Sequence, residues 1–353
     1  MESVLIVGGG LSGLVTANLL LKLGISSQIL EANNQLGGRI QTITGSQKTP
    51  MEMGATWFWP DQPNVIELLT ELQLGSFAQR LDGVSLYETL ESERPQSYSI
   101  PDSTEPYFRV AGGTYEIIHS LRAGLPDDAI LLNSTVTKVI DEGNSIRIID
   151  HQDCSYLAKV AIFACPPGAI ADAVQFVPML PDDLTEVMRS TQTWMNGSVK
   201  FAVEYQRPFW REYKFSGHAL SQKGLAVEIY DHCNAEESSF ALMGFLKSEA
   251  RSLSVEAREM EVLAQLTQYF GPDAKSYLGY HDRIWRDSSL HASPERILTP
   301  HQNNGSPLYQ EGYFGNKLLF IGAETNFEHC GYMEGAILSA KRAVDFVKTA
   351  IGN

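Results

Sequence analysis

Val4-Leu5-Ile6-Val7-Gly8-Gly9-Gly10-Leu11-Ser12-Gly13 opens the chain with a short apolar run that breaks into three spaced glycines. The run suits a buried parallel strand over 3–7, and the apolar spacing from Leu11 to Leu23, ended by Gly24, predicts the crossover helix that follows it. In that setting Gly8 makes the tight turn, Gly10 lets the backbone approach a pyrophosphate, and Gly13 allows close helix–strand packing. Leu11 and Ser12 begin the helix, whose free N–H groups and dipole favour an anion. A second strand over 27–31 ends in Glu31, a carboxylate placed to accept hydrogen bonds from ribose hydroxyls. With Ala32 and the second turn Gly37-Gly38-Arg39, it makes this a dinucleotide site that leans towards FAD. A 2′-phosphate would be repelled at Glu31, which argues against NADP. A glycine turn that has lost its ligand leaves Glu31 and the second turn without a packing purpose. A signal peptide or membrane span is excluded, because Glu2 stands where a basic leader belongs and three glycines interrupt the apolar run.

The chain has 353 residues, enough for a large core and two domains. Its net charge of −15 and pI of about 5.0 disfavour nucleic acid and anionic membrane surfaces as partners. Cys154, Cys165, Cys233 and Cys330 are widely spaced, with no Cys-x-x-Cys pair. That spacing predicts a reducing compartment and no metal site. The expected location is cytoplasmic.

Three apolar strand-like runs lie far apart, at 4–7, 160–164 and 318–322, and a doubly wound sheet makes them neighbours. Runs at 136–140 and 146–149 read as a small antiparallel hairpin. From Pro167 the chain changes character, with aromatic-rich strands at 199–205, 225–230 and 240–246 and an amphipathic helix over 255–270 stopped by Gly271-Pro272. The expected fold is therefore α/β, a Rossmann-like FAD-binding domain (1–75, 111–166 and 288–353) interwoven with an α+β substrate-binding domain (76–110 and 167–287).

Further blocks frame nearly the whole chain. They are Met53-Gly54-Ala55-Thr56-Trp57, Val110-Ala111-Gly112-Gly113, Phe163-Ala164-Cys165-Pro166-Pro167, and Gly197-Ser198-Val199-Lys200 followed by Pro208-Phe209-Trp210. The last are Gly322-Ala323-Glu324-Thr325 and Gly331-Tyr332-Met333-Glu334-Gly335-Ala336. In this order, after the glycine fingerprint, they resemble the flavin-containing amine oxidase superfamily, the group of monoamine, polyamine and L-amino acid oxidases. The resemblance implies oxidation of an amine to an imine on FAD, with O2 reduced to H2O2. It implies that Gly54, Ala55 and Thr56 pass the isoalloxazine, that Val136 contacts adenine through its backbone, and that Gly322, Glu324, Tyr332 and Met333 form the C-terminal flavin signature.

By the same resemblance Lys200 holds a water near flavin N5, Tyr332 is one wall of an aromatic cage, and Trp285 flanks the flavin, with core packing as its alternative. His291 is a candidate for the other wall. Strand alternation is read as setting Lys200 opposite Val199 and Ala202, and it does not by itself bury the lysine. Trp57 stands where similar L-amino acid oxidases place an arginine for the substrate carboxylate, so amines without an α-carboxylate are expected. Arg80 and Arg109 remain as alternative clamps.

This chain departs from the larger members in three ways. The stretch between Trp59 and Ala111 is short, which implies a trimmed substrate domain. No cysteine falls between Cys233 and Cys330, so FAD is expected to be bound non-covalently. The chain ends after its last helix without an apolar tail, so a soluble protein is expected. Competing readings are a flavin desaturase, a renalase-like dihydronicotinamide oxidase and a non-catalytic flavoprotein.

Overall fold

Along the strand Glu2–Val7, Val4 and Ile6 enter one core while Leu5 and Val7 enter another. Both faces of this strand are therefore covered, as in a parallel sheet sandwiched by helices. The computed structural model describes residues 2–101, 104–285 and 298–352. Glu2–Val7 pairs in parallel with Ser27–Leu30 on one side and with Ser155–Phe163 on the other. Ser155–Phe163 is long enough to hold more partners. Its first half pairs antiparallel with Ile146–Asp150, while its last residues pair in parallel with Leu318–Phe320. The three distant apolar runs thus meet side by side, and the expected hairpin forms at Val136–Asp141 and Ile146–Asp150. The helices Leu11–Lys22, Pro63–Glu71, Tyr115–Ala123 and Met333–Ile351 cover one face of this sheet.

A second sheet of seven strands runs in the order Tyr277–Ile284, Val199–Tyr205, Phe240–Leu246, Ala226–Asp231, Phe215–Ser221, Val84–Glu88 and Gln96–Tyr98. Its strands are antiparallel except where Phe215–Ser221 meets Val84–Glu88. Val199, Phe201 and Val203 pack towards Val262, Leu266 and Phe270 of the helix Val255–Phe270. On the opposite face, Ala202 and Met243 pack against Met51 and Met53 of the first layer. The period-two rule puts Lys200 and Ala202 on the same face, which corrects the expectation that they oppose one another.

The segment from 167 to 189 also differs from its expected place in the second layer. Gln175–Val177 extends the first sheet beside Val136–Asp141, and Ile170, Leu184 and Met188 enter that sheet's core. The aromatic-rich second sheet takes up the chain again at Val199.

The first turn depends on a close approach. A Cβ placed on Gly13 would lie 2.0 Å from the Gly8 carbonyl oxygen. Gly13→Ala must therefore push the helix off its strand, at a cost on the order of 1–3 kcal/mol. Urea unfolding of the variant is expected to show a lower midpoint, and an unchanged midpoint would contradict the packing role.

Candidate active site

Gly10 is extended and precedes the helix Leu11–Lys22, with no side chain capping its first N–H groups. A Cβ on Gly10 would meet nothing closer than Gly38 Cα at 3.9 Å. The two glycine turns are joined where Gly37 N donates to Gly9 O at 2.9 Å. They form a cradle of bare backbone at a helix N-terminus that no side chain caps among the described residues, which fits a dinucleotide diphosphate. Leu11 is buried in the helix-covered core, and the Ser12 hydroxyl lies 2.9 Å from that of Ser339 in the last helix. Glu31 is buried at the edge of the cradle. Its Oε2 accepts from Gly9 N at 2.7 Å and its Oε1 from Asn33 N at 2.9 Å. Ala32 beside it is half-buried. Ser134 N donates to Glu31 O at 2.9 Å, so the segment entering the strand at Val136 runs alongside this carboxylate.

Lys200 comes from the second sheet and reaches the loop after the strand Pro50–Glu52. Its Nζ donates to Gly54 O at 2.8 Å and to Thr56 Oγ1 at 2.6 Å. The ammonium position lies 5.7 Å from the Trp57 ring centroid and 5.1 Å from that of Phe245. The loop itself is stitched to the second glycine turn, since Ala55 N donates to Arg39 O at 3.0 Å. Trp285 closes the opposite edge, with its Nε1 donating to Met53 O and the Arg283 guanidinium 4.2 Å from its ring.

Burial brings the Lys200 ammonium down from 10.5 to about 7, opposed by the Glu52 carboxylate and assisted by the Arg109 guanidinium. Glu52 is itself pushed up by burial, although it accepts from Thr114 N at 2.7 Å and Thr42 Oγ1 at 2.9 Å.

Rings continue from Lys200 in an unbroken series. Trp57 meets Tyr107 at 5.9 Å and Tyr230 at 4.7 Å between centroids. Tyr107 stacks on Trp59 at 6.0 Å, and Trp59 meets Tyr332 edge-on at the same spacing. Tyr332 caps the N-terminus of the helix Met333–Ile351 and packs 5.7 Å from Trp194, which stacks on His301 at 4.4 Å. All of these rings are half-buried except that of His301, which is exposed. Met333 is buried beneath them.

Glu324 follows Gly322 and Ala323 on a short helical turn. It accepts from Arg39 Nη2 at 2.8 Å and from Trp194 N at 3.0 Å. His291 lies outside the described residues.

The structure brings Lys200, Thr56 and Trp57 together, sets Trp285 against Met53 of the same loop, and links Tyr332 to Trp57 through Trp59 and Tyr107. Glu52, Trp59, Tyr107, Trp194, Tyr230 and Phe245 join them without having been singled out. Only Tyr230 and Phe245 carried a signal, since they lie in the aromatic-rich strands at 225–230 and 240–246. Arg109 is buried with Nη1 donating to Cys233 O at 2.9 Å, while Arg80 pairs with Glu237 at 3.2 Å.

The sequence pattern of the flavin containing amine oxidoreductases matches residues 11–92 and 83–347. The chain belongs to this family. It is 22% identical to a probable flavin-containing monoamine oxidase A of Dictyostelium discoideum over 464 aligned positions, covering 100% of this chain and 99% of the relative. It is 23% identical to the flavin-containing amine oxidase B of Mus musculus, covering 99% and 87% of the two chains. Among solved structures, cyclohexylamine oxidase from Brevibacterium oxydans superposes with a TM-score of 0.88 at 18% identity, covering 100% of both chains. Putrescine oxidase bound to putrescine superposes with a TM-score of 0.84 at 22% identity, covering 100% of this chain and 99% of that one. These likenesses establish the fold. The family establishes a flavin enzyme acting on small-molecule amines. Among the described residues, no helix is long and apolar enough to cross a membrane and no acidic, histidine or cysteine cluster is arranged to hold a metal.

The lysine's position has a consequence for stability. An unfolded chain keeps this lysine near its ordinary value of 10.5, whereas the folded chain releases the proton above about 7. Between those values the unfolded state binds more protons, so Lys200's contribution to stability rises with pH and is lost as pH falls through about 7. Lys200→Met lacks this dependence. Denaturation of both proteins across that window should show the variant's stability advantage shrinking as pH rises, and a constant difference would mean an unperturbed lysine.

Proposed function

We propose that this protein is an FAD-dependent amine oxidase that converts an amine C–N bond to an imine and passes the electrons to O2, forming H2O2. The observation that carries this reading is Lys200, a buried amine pinned to Gly54 and Thr56 at the foot of a wall of rings. Gly8, Gly10, Gly13, Leu11 and Ser12 would hold the diphosphate, Glu31 and Ala32 the ribose, and Val136 the adenine. Gly37, Gly38, Arg39, Gly54, Ala55 and Thr56 would line the ring system, with Gly322, Glu324, Tyr332 and Met333 at its far edge. When bound, the flavin supplies the acceptor for the hydride equivalents and the path of electrons to oxygen.

Lys200 holds or gives up a proton at Nζ near neutrality, because burial has removed most of its preference for the charged form. The faces of Tyr332 and its neighbouring rings orient an uncharged amine and exclude water. Trp57, hydrogen-bonded to Gln79 Oε1 at 2.9 Å, offers a substrate no cation for an α-carboxylate. Amines are therefore preferred over α-amino acids. FAD is held without a covalent link, since the only cysteine beside the C-terminal signature, Cys330, donates its thiol to Asn326 O. The two sheets divide the work, the first holding the cofactor and the second the substrate. The acidic charge and unpaired cysteines support a soluble, cytoplasmic enzyme.

Mixing the yellow protein anaerobically with a panel of amines is expected to bleach the flavin, and air should then restore the colour with release of peroxide. Faster bleaching by an L-amino acid than by every amine would overturn the substrate preference. Acid precipitation should leave the yellow colour in the supernatant, whereas colour in the pellet would mean a covalent flavin. Lys200→Met should retain FAD while one half-reaction slows about a hundredfold or more. Stopped-flow rates equal to the parent's in both half-reactions would make Lys200 an ordinary strand residue.

A further inference from the structure

Across the second sheet Lys200 is in register with Phe245, and Phe245 is in register with Glu228. Residues opposite one another on antiparallel neighbours share a face. Lys200, Phe245 and Glu228 therefore stand in one row, with the carboxylate-bearing residue two strand spacings, about 10 Å, from the lysine-bearing one. Arg283 lies on the other side of Lys200 in the same row, so the row runs from cation to carboxylate.

Glu228 is half-buried, and its side chain accepts from the Tyr230 hydroxyl at 3.0 Å. Among the described residues no lysine, arginine or histidine pairs with it. Tyr230 packs 4.7 Å from Trp57 and 5.1 Å from the ring of His218. Burial, and after it the Glu228 carboxylate, raises the hydroxyls of both Tyr107 and Tyr230 above the usual tyrosine range. The carboxylate is therefore within electrostatic reach of both rings, at the far end of the wall that starts over Lys200. A partly desolvated carboxylate among ring faces, without a cation of its own, is a receptor for an ammonium group.

We propose that Glu228 binds a second ammonium group of the substrate, so that the preferred amines are aliphatic diamines or polyamines with one nitrogen at the Lys200 end and another at Glu228. This rests on the amine-oxidase reading of the same site. The substrate's alkyl chain then lies along Phe245, Trp57 and Tyr230, which bury its methylenes. A monoamine of equal length fills the same space but leaves the carboxylate unpaired.

Binding can be separated from turnover by titrating the anaerobic, dithionite-reduced holoprotein calorimetrically, since a reduced flavin accepts no hydride. The parent should bind an aliphatic diamine about tenfold or more tighter than the monoamine of equal length, as expected for a charge-assisted contact. Glu228→Gln keeps the side chain's size and the acceptor for Tyr230. It should abolish that preference while leaving monoamine affinity within about twofold, whereas Glu228→Asp should restore part of it. Equal affinities in the parent, or an equal loss for both amines in Glu228→Gln, would overturn the proposal. If neither amine bleaches the oxidised flavin, the oxidase reading fails on its own while the calorimetric preference still reports on Glu228.

Discussion

Glu324 is a carboxylate with no exposed surface, and three separate parts of the chain meet on it. Arg39 and the backbone of Trp194 donate to its oxygens, and its own carbonyl accepts from Gly305 N at 2.8 Å. A carboxylate buried without partners costs several kcal/mol, so neither Arg39 nor the Trp194 backbone can move away freely. Arg39 carries the second glycine turn, which is bonded to the first through Gly37 and Gly9. Trp194 packs on Tyr332, which caps the last helix. One internal charge therefore fixes the cofactor cradle, the segment leading into the Lys200 strand and the C-terminal wall relative to each other.

The parts of the fold legible in the sequence are those whose environment is set by near neighbours. The strands Val199–Tyr205 and Phe240–Leu246 and the helix Val255–Phe270 fall where their patterning and the Gly271-Pro272 stop put them. The burial of Lys200 is not legible in this way, because its partners Gly54 and Thr56 lie 146 and 144 residues away. Alternation says only that Lys200, Ala202 and Glu204 share a face. What covers that face is decided by a distant loop. Glu204 shows the same effect, since its carboxylate is satisfied by Ser46 N at 2.8 Å, Gln47 N at 3.0 Å and Thr49 Oγ1 at 2.6 Å. The stretch 167–189 misled because short helices with few rings carry no mark of which sheet they cover. Trp194, Tyr107 and Tyr230 were missed because a ring lining a cavity and a ring filling a core are compositionally the same.

Lys200 also belongs to a wider electrostatic arrangement. His232 Nε2 accepts from Glu52 N at 3.2 Å, and burial together with the nearby Arg109 and Lys200 charges keeps the imidazole neutral. Glu52 is the carboxylate that Lys200 and Arg109 share. Two cations and one carboxylate in a region of low polarisability favour release of one proton. Arginine holds its proton far more tightly than lysine, so the lysine is the group that yields. Its release of a proton near neutrality follows first from burial, which the Glu52 carboxylate opposes and the Arg109 charge, fixed to Cys233 O, assists.

The two sheets meet this arrangement from opposite sides, and their different architectures suit different demands. The mixed sheet of the first layer gathers glycine turns and a helix N-terminus at the ends of its parallel strands, where backbone N–H groups can face an anion. The antiparallel second sheet offers a flat face on which side chains at one register position form a row, so polar groups can be spaced by whole strand separations. Arg283, Lys200, Phe245 and Glu228 occupy such a row, and each can be exchanged without disturbing the hydrogen bonds that hold the strands together. The row can therefore change residue by residue, whereas Gly8 and Gly13 of the cradle cannot, because a Cβ there would lie 2.7 Å from Ala164 O and 2.0 Å from Gly8 O respectively.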